Sequence, residues 1–103
     1  MRPGQLVWVD LDPIRGHEQR GHRPALVISE QMRSIAIVVP LTTASPKMPA
    51  HHRMSGEQPS TALCEQVRAI DVQRVTKAMG GAADPEDLEA VRRIVARLIG
   101  VWR

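Results

Sequence analysis

Apolar and polar positions alternate along most of this chain, and only its last fifth departs from that rhythm. Gln5 to Leu11 reads QLVWVDL. Leu6, Trp8 and Asp10 share one face and Val7, Val9 and Leu11 the other, so apolar side chains on both faces predict a strand buried on both sides. Asp12-Pro13 breaks it. Ile14 to Arg23 reads IRGHEQRGHR, a polar, glycine-punctuated segment that predicts a loop. Pro24 to Ser29 (PALVIS) is a second strand, with proline at its first position, where a strand tolerates it. A short polar turn, Glu30 to Ser34, leads into a third strand, Ile35 to Leu41, rich in β-branched residues.

Thr42 to Pro59 is a second long polar region, with His51 to Met54 in its middle predicted as a short edge strand. Thr61 to Ile70 reads TALCEQVRAI. Its composition would suit a helix, but Leu63, Glu65, Val67 and Ala69 alternate with Ala62, Cys64, Gln66 and Arg68, which predicts one strand. Asp71 to Arg74 reads as a helical turn, Val75 to Met79 as a strand fragment and Gly80-Gly81 as a turn. The period then changes. Asp84-Pro85-Glu86-Asp87 offers an N-cap acceptor, proline at the first helical position and acids in the first turn. Leu88, Val91, Ile94, Val95, Leu98 and Ile99 follow at helical spacing, Arg92, Arg93 and Arg97 suit the C-terminal half, and Gly100 ends the helix. The predicted fold is mainly β with helical additions: a small barrel or rolled sheet with a C-terminal α-helix.

At 103 residues the chain is expected to form one domain spanning 1–103. Apolar residues at 43% and charged residues at 24% exclude a disordered chain. With two Trp, no Tyr and no Phe, the core must be built from Val, Ile, Leu, Met and Ala. Only Trp8 and Trp102 are available to stack on a base. Cys64 is single, which excludes an internal disulfide and argues against a cysteine-based metal site. The longest apolar stretch, Ile35 to Val39 extended to Leu41, is too short to cross a membrane. The polar N-terminus resembles no secretory signal, so the expected location is cytoplasmic, with no membrane partner. Net charge is +3, and twelve of the fourteen basic residues are Arg, whose planar fork suits phosphate. Charge alone is equally compatible with an ordinary soluble surface.

Strand pairing sharpens the picture. If the second and third strands form a hairpin, Ser29 opposes Ile35 and Pro24 opposes Pro40, which brings Arg23 within a register step or two of Thr42. A guanidinium and a hydroxyl converging there would hold a phosphate and offset charge as it develops. The plainer reading is a solvated strand end beside a turn-forming threonine. His17 and His22 in one loop and His51-His52 in another, without cysteine or helical spacing, make a poor zinc site. No metal is expected. Imidazole near neutrality suits acid–base work, with His22 the candidate, although most loop histidines are merely solvated. Cys64 reads as a buried structural cysteine rather than a nucleophile.

Taken together, Trp8-Val9-Asp10-Leu11-Asp12-Pro13, then Arg15-Gly16-His17-Glu18-Gln19-Arg20-Gly21-His22-Arg23-Pro24, then Val39-Pro40-Leu41-Thr42-Thr43 and Ala62-Leu63-Cys64-Glu65-Gln66-Val67-Arg68-Ala69-Ile70-Asp71 resemble the MazF/PemK toxins of bacterial toxin–antitoxin pairs, in the family's order. The resemblance implies an SH3-like barrel of the CcdB/PemK type, working as a homodimer. It implies a sequence-specific endoribonuclease that cuts single-stranded RNA without metal or cofactor. The ribose 2′-hydroxyl attacks the adjacent phosphate and leaves a 2′,3′-cyclic end. It also implies a cognate antitoxin, MazE-like, with an acidic tail. The family's catalytic Arg falls on Arg23 and its catalytic Thr on Thr42, while Glu18, Gln19, Gln66 and Arg68 fall on positions near the substrate groove. Arg15, His17, Arg20, His22 and Thr43 complete the candidate RNA-binding set. Guanidinium keeps its proton above about pH 12, so Arg23 is assigned first to stabilising the phosphorane-like transition state and Thr42 to holding a non-bridging oxygen. Two departures stand out: the turn after Ser29 is short, and His17 replaces the usual small residue before Glu18. The rival expectation is a non-enzymatic gyrase poison of the CcdB type, to which the terminal Gly100-Val101-Trp102-Arg103 is an echo.

Overall fold

The computed structural model describes residues 1–11 and 21–101. Arg15, His17, Glu18, Gln19, Arg20 and Trp102, singled out above, lie outside the described residues. The strands are β1 (Gln5–Asp10), β2 (His22–Val27), β3 (Ile35–Thr42), β4 (His51–Arg53), β5 (Thr61–Leu63), β6 (Arg68–Asp71) and β7 (Val75–Ala82), followed by helix α1 (Pro85–Leu98). All pairings are antiparallel, in the order β4-β5-β3-β2-β1-β7, with β6 also on β3.

The expected single strand from Thr61 to Ile70 is corrected. β5 and β6 both run along the same side of β3, with Leu41 opposite Ala62 and Val38 opposite Arg68. Between those pairs the register slips by the three residues Cys64–Gln66, which coil into a 3₁₀ turn. Period-two alternation was therefore a true signal of the edge that this segment follows. It could not reveal that three residues leave the ladder and that Cys64 among them turns into the outer cluster. The helical turn expected near Asp71 is the second 3₁₀ turn, Val72–Arg74, where the Asp71 carboxylate accepts from the Gln73 N–H at 2.9 Å. Gly80-Gly81 is not a turn either. β7 runs through it to Ala82, and between the pairs Gln5–Ala82 and Val7–Ala78 it carries more residues than β1 does. This bulge is taken up at Gly80, whose φ of +78° a β-branched residue would resist.

Two buried clusters occupy opposite faces of the central strands. One holds Val7, Val9 and Leu11 with Ala25, Val27, Ala36, Val38 and Ile70. The strands roll over this cluster themselves and form the inside of the expected small barrel. The other gathers Leu26, Ile28, Val39, Leu41, Met54, Ala62 and Cys64 beneath Val91 of α1. β2 and β3 thus bury both faces, which explains why their sequences read as nearly unbroken apolar runs.

α1 starts where its signals place it, with the Asp84 side chain accepting from the Glu86 N–H at 3.4 Å and Pro85 at the first turn. Leu88, Val91, Ile94 and Val95 face the outer cluster. Full burial of a valine such as Val91 contributes about 1.5–3 kcal/mol. The apolar stripe does not continue to the end, since Leu98 and Ile99 are exposed. No helix among the described residues is long and apolar enough to cross a membrane.

Candidate functional site at the end of the inner face

β2 and β3 settle where the two candidate catalytic residues lie. The ladder between them is Val27–Val38, Leu26–Val39 and Ala25–Pro40, one residue displaced from the register expected from sequence. Carried two residues further along both strands, it sets Arg23 opposite Thr42. Side-chain alternation then fixes the face. Arg23 follows Ala25 and Val27 and pairs across β1 with Val9, all members of the inner cluster. Thr42 follows Ala36, Val38 and Pro40 on the same side. Both residues therefore emerge at one end of the inner face, and both are half-buried.

Arg68 belongs to the same end. On β6 it is in line with the buried Ile70 and pairs with Val38. Its Nη1 donates to the Leu11 carbonyl at 3.2 Å, and the Leu11 N–H donates to the Gly21 carbonyl at 3.1 Å. Arg74, which the sequence did not single out, donates from Nη1 to the neighbouring Asp10 carbonyl at 3.1 Å. Two guanidinium groups thus brace consecutive carbonyls at the end of β1. The Thr42 Oγ1 accepts from the Ala44 N–H at 3.3 Å, a bond in which the hydroxyl uses a lone pair and not its proton.

The remaining candidates surround this end at different depths. Thr43 is exposed and shares with Thr42, Pro24, Leu41 and Met54 the lining of an apolar cavity of about 490 Å³ on the outer face. His22, exposed, faces outward opposite Asp10 and borders a separate depression with Trp8, Thr76 and Lys77. Gln66, half-buried, closes the first 3₁₀ turn. The structure thus sets Arg23 and Arg68 on the inner face, with Thr42 opposite Arg23 at the end of β3 where it also borders the outer cavity, and places His22 on the other side of the sheet.

The second histidine pair departs from the solvated-loop reading. His51 and His52 lie in β4 and point to opposite sides, each onto a carboxylate. His51 Nε2 is 2.9 Å from Glu65 Oε2, with the histidine side chain only 8% exposed. His52 Nε2 is 2.9 Å from Asp87 Oδ1, while Asp87 Oδ2 accepts from the Ser55 N–H at 2.8 Å. Burial pushes the Asp87 carboxyl up, but the bonds from His52 and Ser55 outweigh it and hold the group below the ordinary aspartate value. Neither carboxylate is near its histidine in sequence, so only the fold could reveal these pairs. Cys64 is fully buried, and burial, followed by the nearby Glu65 charge, pushes its thiol up to about 12. That excludes a thiolate nucleophile at neutral pH.

In chemical terms, the ladder sets a guanidinium opposite a hydroxyl, with a second guanidinium on the same face of the sheet. The class so defined is a small helix-backed β barrel with polar and basic side chains at one end of its central strands. Residues 2–99 match the family described as PemK-like, MazF-like toxin of type II toxin-antitoxin system. The chain is 38% identical over 102 residues to the endoribonuclease toxin MazF of Escherichia coli, covering 94% of this chain and 92% of that protein. The crystal structure of MazF from Deinococcus radiodurans superposes with a TM-score of 0.88 at 26% identity, covering 97% of this chain and 96% of the other. An endoribonuclease in complex with its cognate antitoxin, from a mycobacterial species, shares the fold with a TM-score of 0.81 at 17% identity, covering 100% and 99%. This chain belongs to the PemK/MazF toxin family. Its relatives are named endoribonucleases, which favours RNA cleavage over gyrase poisoning.

Proposed function

We propose that this protein is an endoribonuclease toxin that cuts single-stranded RNA at short sequences, with Arg23 and Thr42 as its catalytic pair. The observation that carries the reading is their shared position at one end of the inner face, on the two strands with both faces buried. The ribose 2′-hydroxyl attacks the adjacent phosphorus and loses its proton, the bond to the 5′-oxygen of the next nucleotide breaks, and that oxygen takes up a proton. The products are a 2′,3′-cyclic phosphate and a 5′-hydroxyl. Arg23, positive throughout, stabilises the charge that gathers on the phosphorane-like transition state. Thr42 donates its hydroxyl proton to a non-bridging oxygen. Arg15, His17, Glu18, Gln19, Arg20, His22, Thr43, Gln66 and Arg68 are the proposed RNA contacts.

The protein is proposed to act in the cytoplasm as a homodimer, as one domain over 1–103, with a MazE-like antitoxin laying an acidic tail along the same basic groove. The test is incubation with a long defined RNA in EDTA, with the ends of the fragments mapped. Discrete fragments with cyclic phosphate ends are expected. Arg23→Ala should keep the melting temperature of the parent yet lose more than about tenfold in cleavage, since one charge-stabilising donor is worth that and more. Retention of activity within that margin would remove Arg23 from the mechanism. Intact RNA together with inhibited supercoiling would replace the reading by gyrase poisoning.

A further inference from the structure

The imidazole of His51 adds a side-chain tie between two segments that border the site and that the backbone joins only at their roots, where β4 pairs with β5. Residues 43–50 leave the end of β3 immediately after Thr42 and return into β4. The Cys64–Gln66 turn approaches from the opposite side and ends on Gln66. His51 Nδ1 accepts from the Lys47 N–H at 3.1 Å, in the first segment. Its Nε2 lies 2.9 Å from Glu65 Oε2, in the second. The first contact requires Nδ1 to be unprotonated, so Nε2 carries the hydrogen and donates it to the carboxylate. One ring in one tautomer thus holds both segments at once, and at 8% exposure it does so away from water. Backbone bonds add to the tie on one side only, with the Cys64 N–H donating to the Ala50 carbonyl at 3.2 Å.

We infer that His51 is a positioning residue for RNA selection: it sets the placement of Lys47 and Gln66 relative to Thr42, and so which bases and phosphates are accepted beside the scissile bond. This rests on the RNA-cleavage reading above. His51 itself does not touch the reacting atoms. Its loss should therefore weaken and blur recognition while leaving the chemical step largely intact, a pattern that loss of a catalytic group would not give. Histidine's two contacts can also be separated. The amide oxygen of Asn reaches the Nδ1 position and can accept from Lys47, whereas the amide nitrogen of Gln reaches the Nε2 position and can donate to Glu65.

The experiment compares wild type, His51→Ala, His51→Asn, His51→Gln and Glu65→Ala as full-length proteins. It measures kcat and KM on an oligoribonucleotide containing a cleaved site, and the pattern of cuts on a long RNA. His51→Ala is expected to raise KM by about tenfold, the equivalent of a hydrogen bond or two, with kcat within about threefold of wild type. It should also add cuts at sites the wild type leaves alone. Asn and Gln should each restore part of the discrimination, and Glu65→Ala, which removes an exposed carboxylate and leaves the Lys47 contact in place, should act like His51→Asn. If His51→Ala folds poorly, Glu65→Ala alone decides the matter. Unchanged KM and cuts in a folded His51→Ala or Glu65→Ala would overturn the inference, and so would a fall confined to kcat. Failure of the wild type to cut any RNA would instead overturn the cleavage reading.

Discussion

The carboxylate of Asp87 clamps helix α1 to the sheet, and its removal should be costly. It sits in the first turn of α1, is only 5% exposed, and accepts from His52 Nε2 at 2.9 Å, from the Ser55 N–H at 2.8 Å and from the Ser55 hydroxyl at 3.3 Å. It thereby pins β4 and the start of the following segment to the helix. Replacing it by Ala removes hydrogen bonds to a charged group, worth about 1.5–3 kcal/mol, and a favourable charge at the helix N-terminus, worth about 0.3–1 kcal/mol. The expected loss at neutral pH is thus about 2–4 kcal/mol, against a total of about 5–15 kcal/mol for a domain. At about 4–8 °C per kcal/mol the melting temperature should fall by more than about 8 °C. Asp87→Asn, which keeps one acceptor, should cost less.

The pH dependence carries its own sign. Because the folded carboxyl titrates below its ordinary value, its contribution is fully present above the unfolded aspartate pKa of about 3.9 and is lost as pH falls through the lower folded value. Urea denaturation of wild type and Asp87→Asn should be compared at neutral pH and down to about pH 2, at one protein concentration. The gap between the two proteins should narrow as the pH falls. Parallel losses, or an Asp87→Ala protein within about 0.5 kcal/mol of wild type, would refute the clamp.

Two further predictions concern buried groups. Thr61 is fully buried, and its Oγ1 has no hydrogen-bond partner among the described residues. Thr61→Val should therefore raise stability by about 1 kcal/mol or more, read as a higher urea midpoint, and a lower midpoint would show that the hydroxyl is satisfied. Cys64, with its thiol at about 12, should react with a thiol-specific disulfide reagent at neutral pH only as fast as the protein unfolds, and rapid labelling of the native protein would contradict its burial.

What the sequence disclosed follows from how local each cause is. α1 was legible to the residue at its start because the Asp84 cap and Pro85 act within one turn. β1 to β3 were legible because each carries its own apolar pattern, and their pairing brought Arg23 towards Thr42 within one residue of the observed register. The Cys64–Gln66 turn was not legible, because whether a residue joins a ladder is decided by β3, which alternation in one strand cannot report. The bulge at Gly80 was mistaken for a turn since glycine pairs serve both purposes, and only pairing with β1 distinguishes them. The roles of His51 and His52 were hidden for the same reason: their carboxylate partners stand far away in sequence. Glu18 and Gln19 rest on resemblance alone, His17 departs from it, and these three lie with Arg15 and Arg20 outside the described residues.

β2 and β3, with both faces covered, carry Arg23 and Thr42 at their ends, whereas most of the proposed reading groups lie off these strands. The consequence is a separation of what can vary from what cannot. Substitutions in residues 43–50 or at Glu65 and Gln66, outside the buried clusters, can accumulate without disturbing a core side chain of β2 or β3. On the proposed function, a lineage can thus change which RNA sequences it selects while the reaction itself stays fixed. Any change that moves Arg23 against Thr42 must pass through Ala25, Val27, Val38 or Val39, and so puts the whole fold at risk. The same two-sided burial that stabilises this small protein thus also makes its chemistry conservative and its choice of target free to drift.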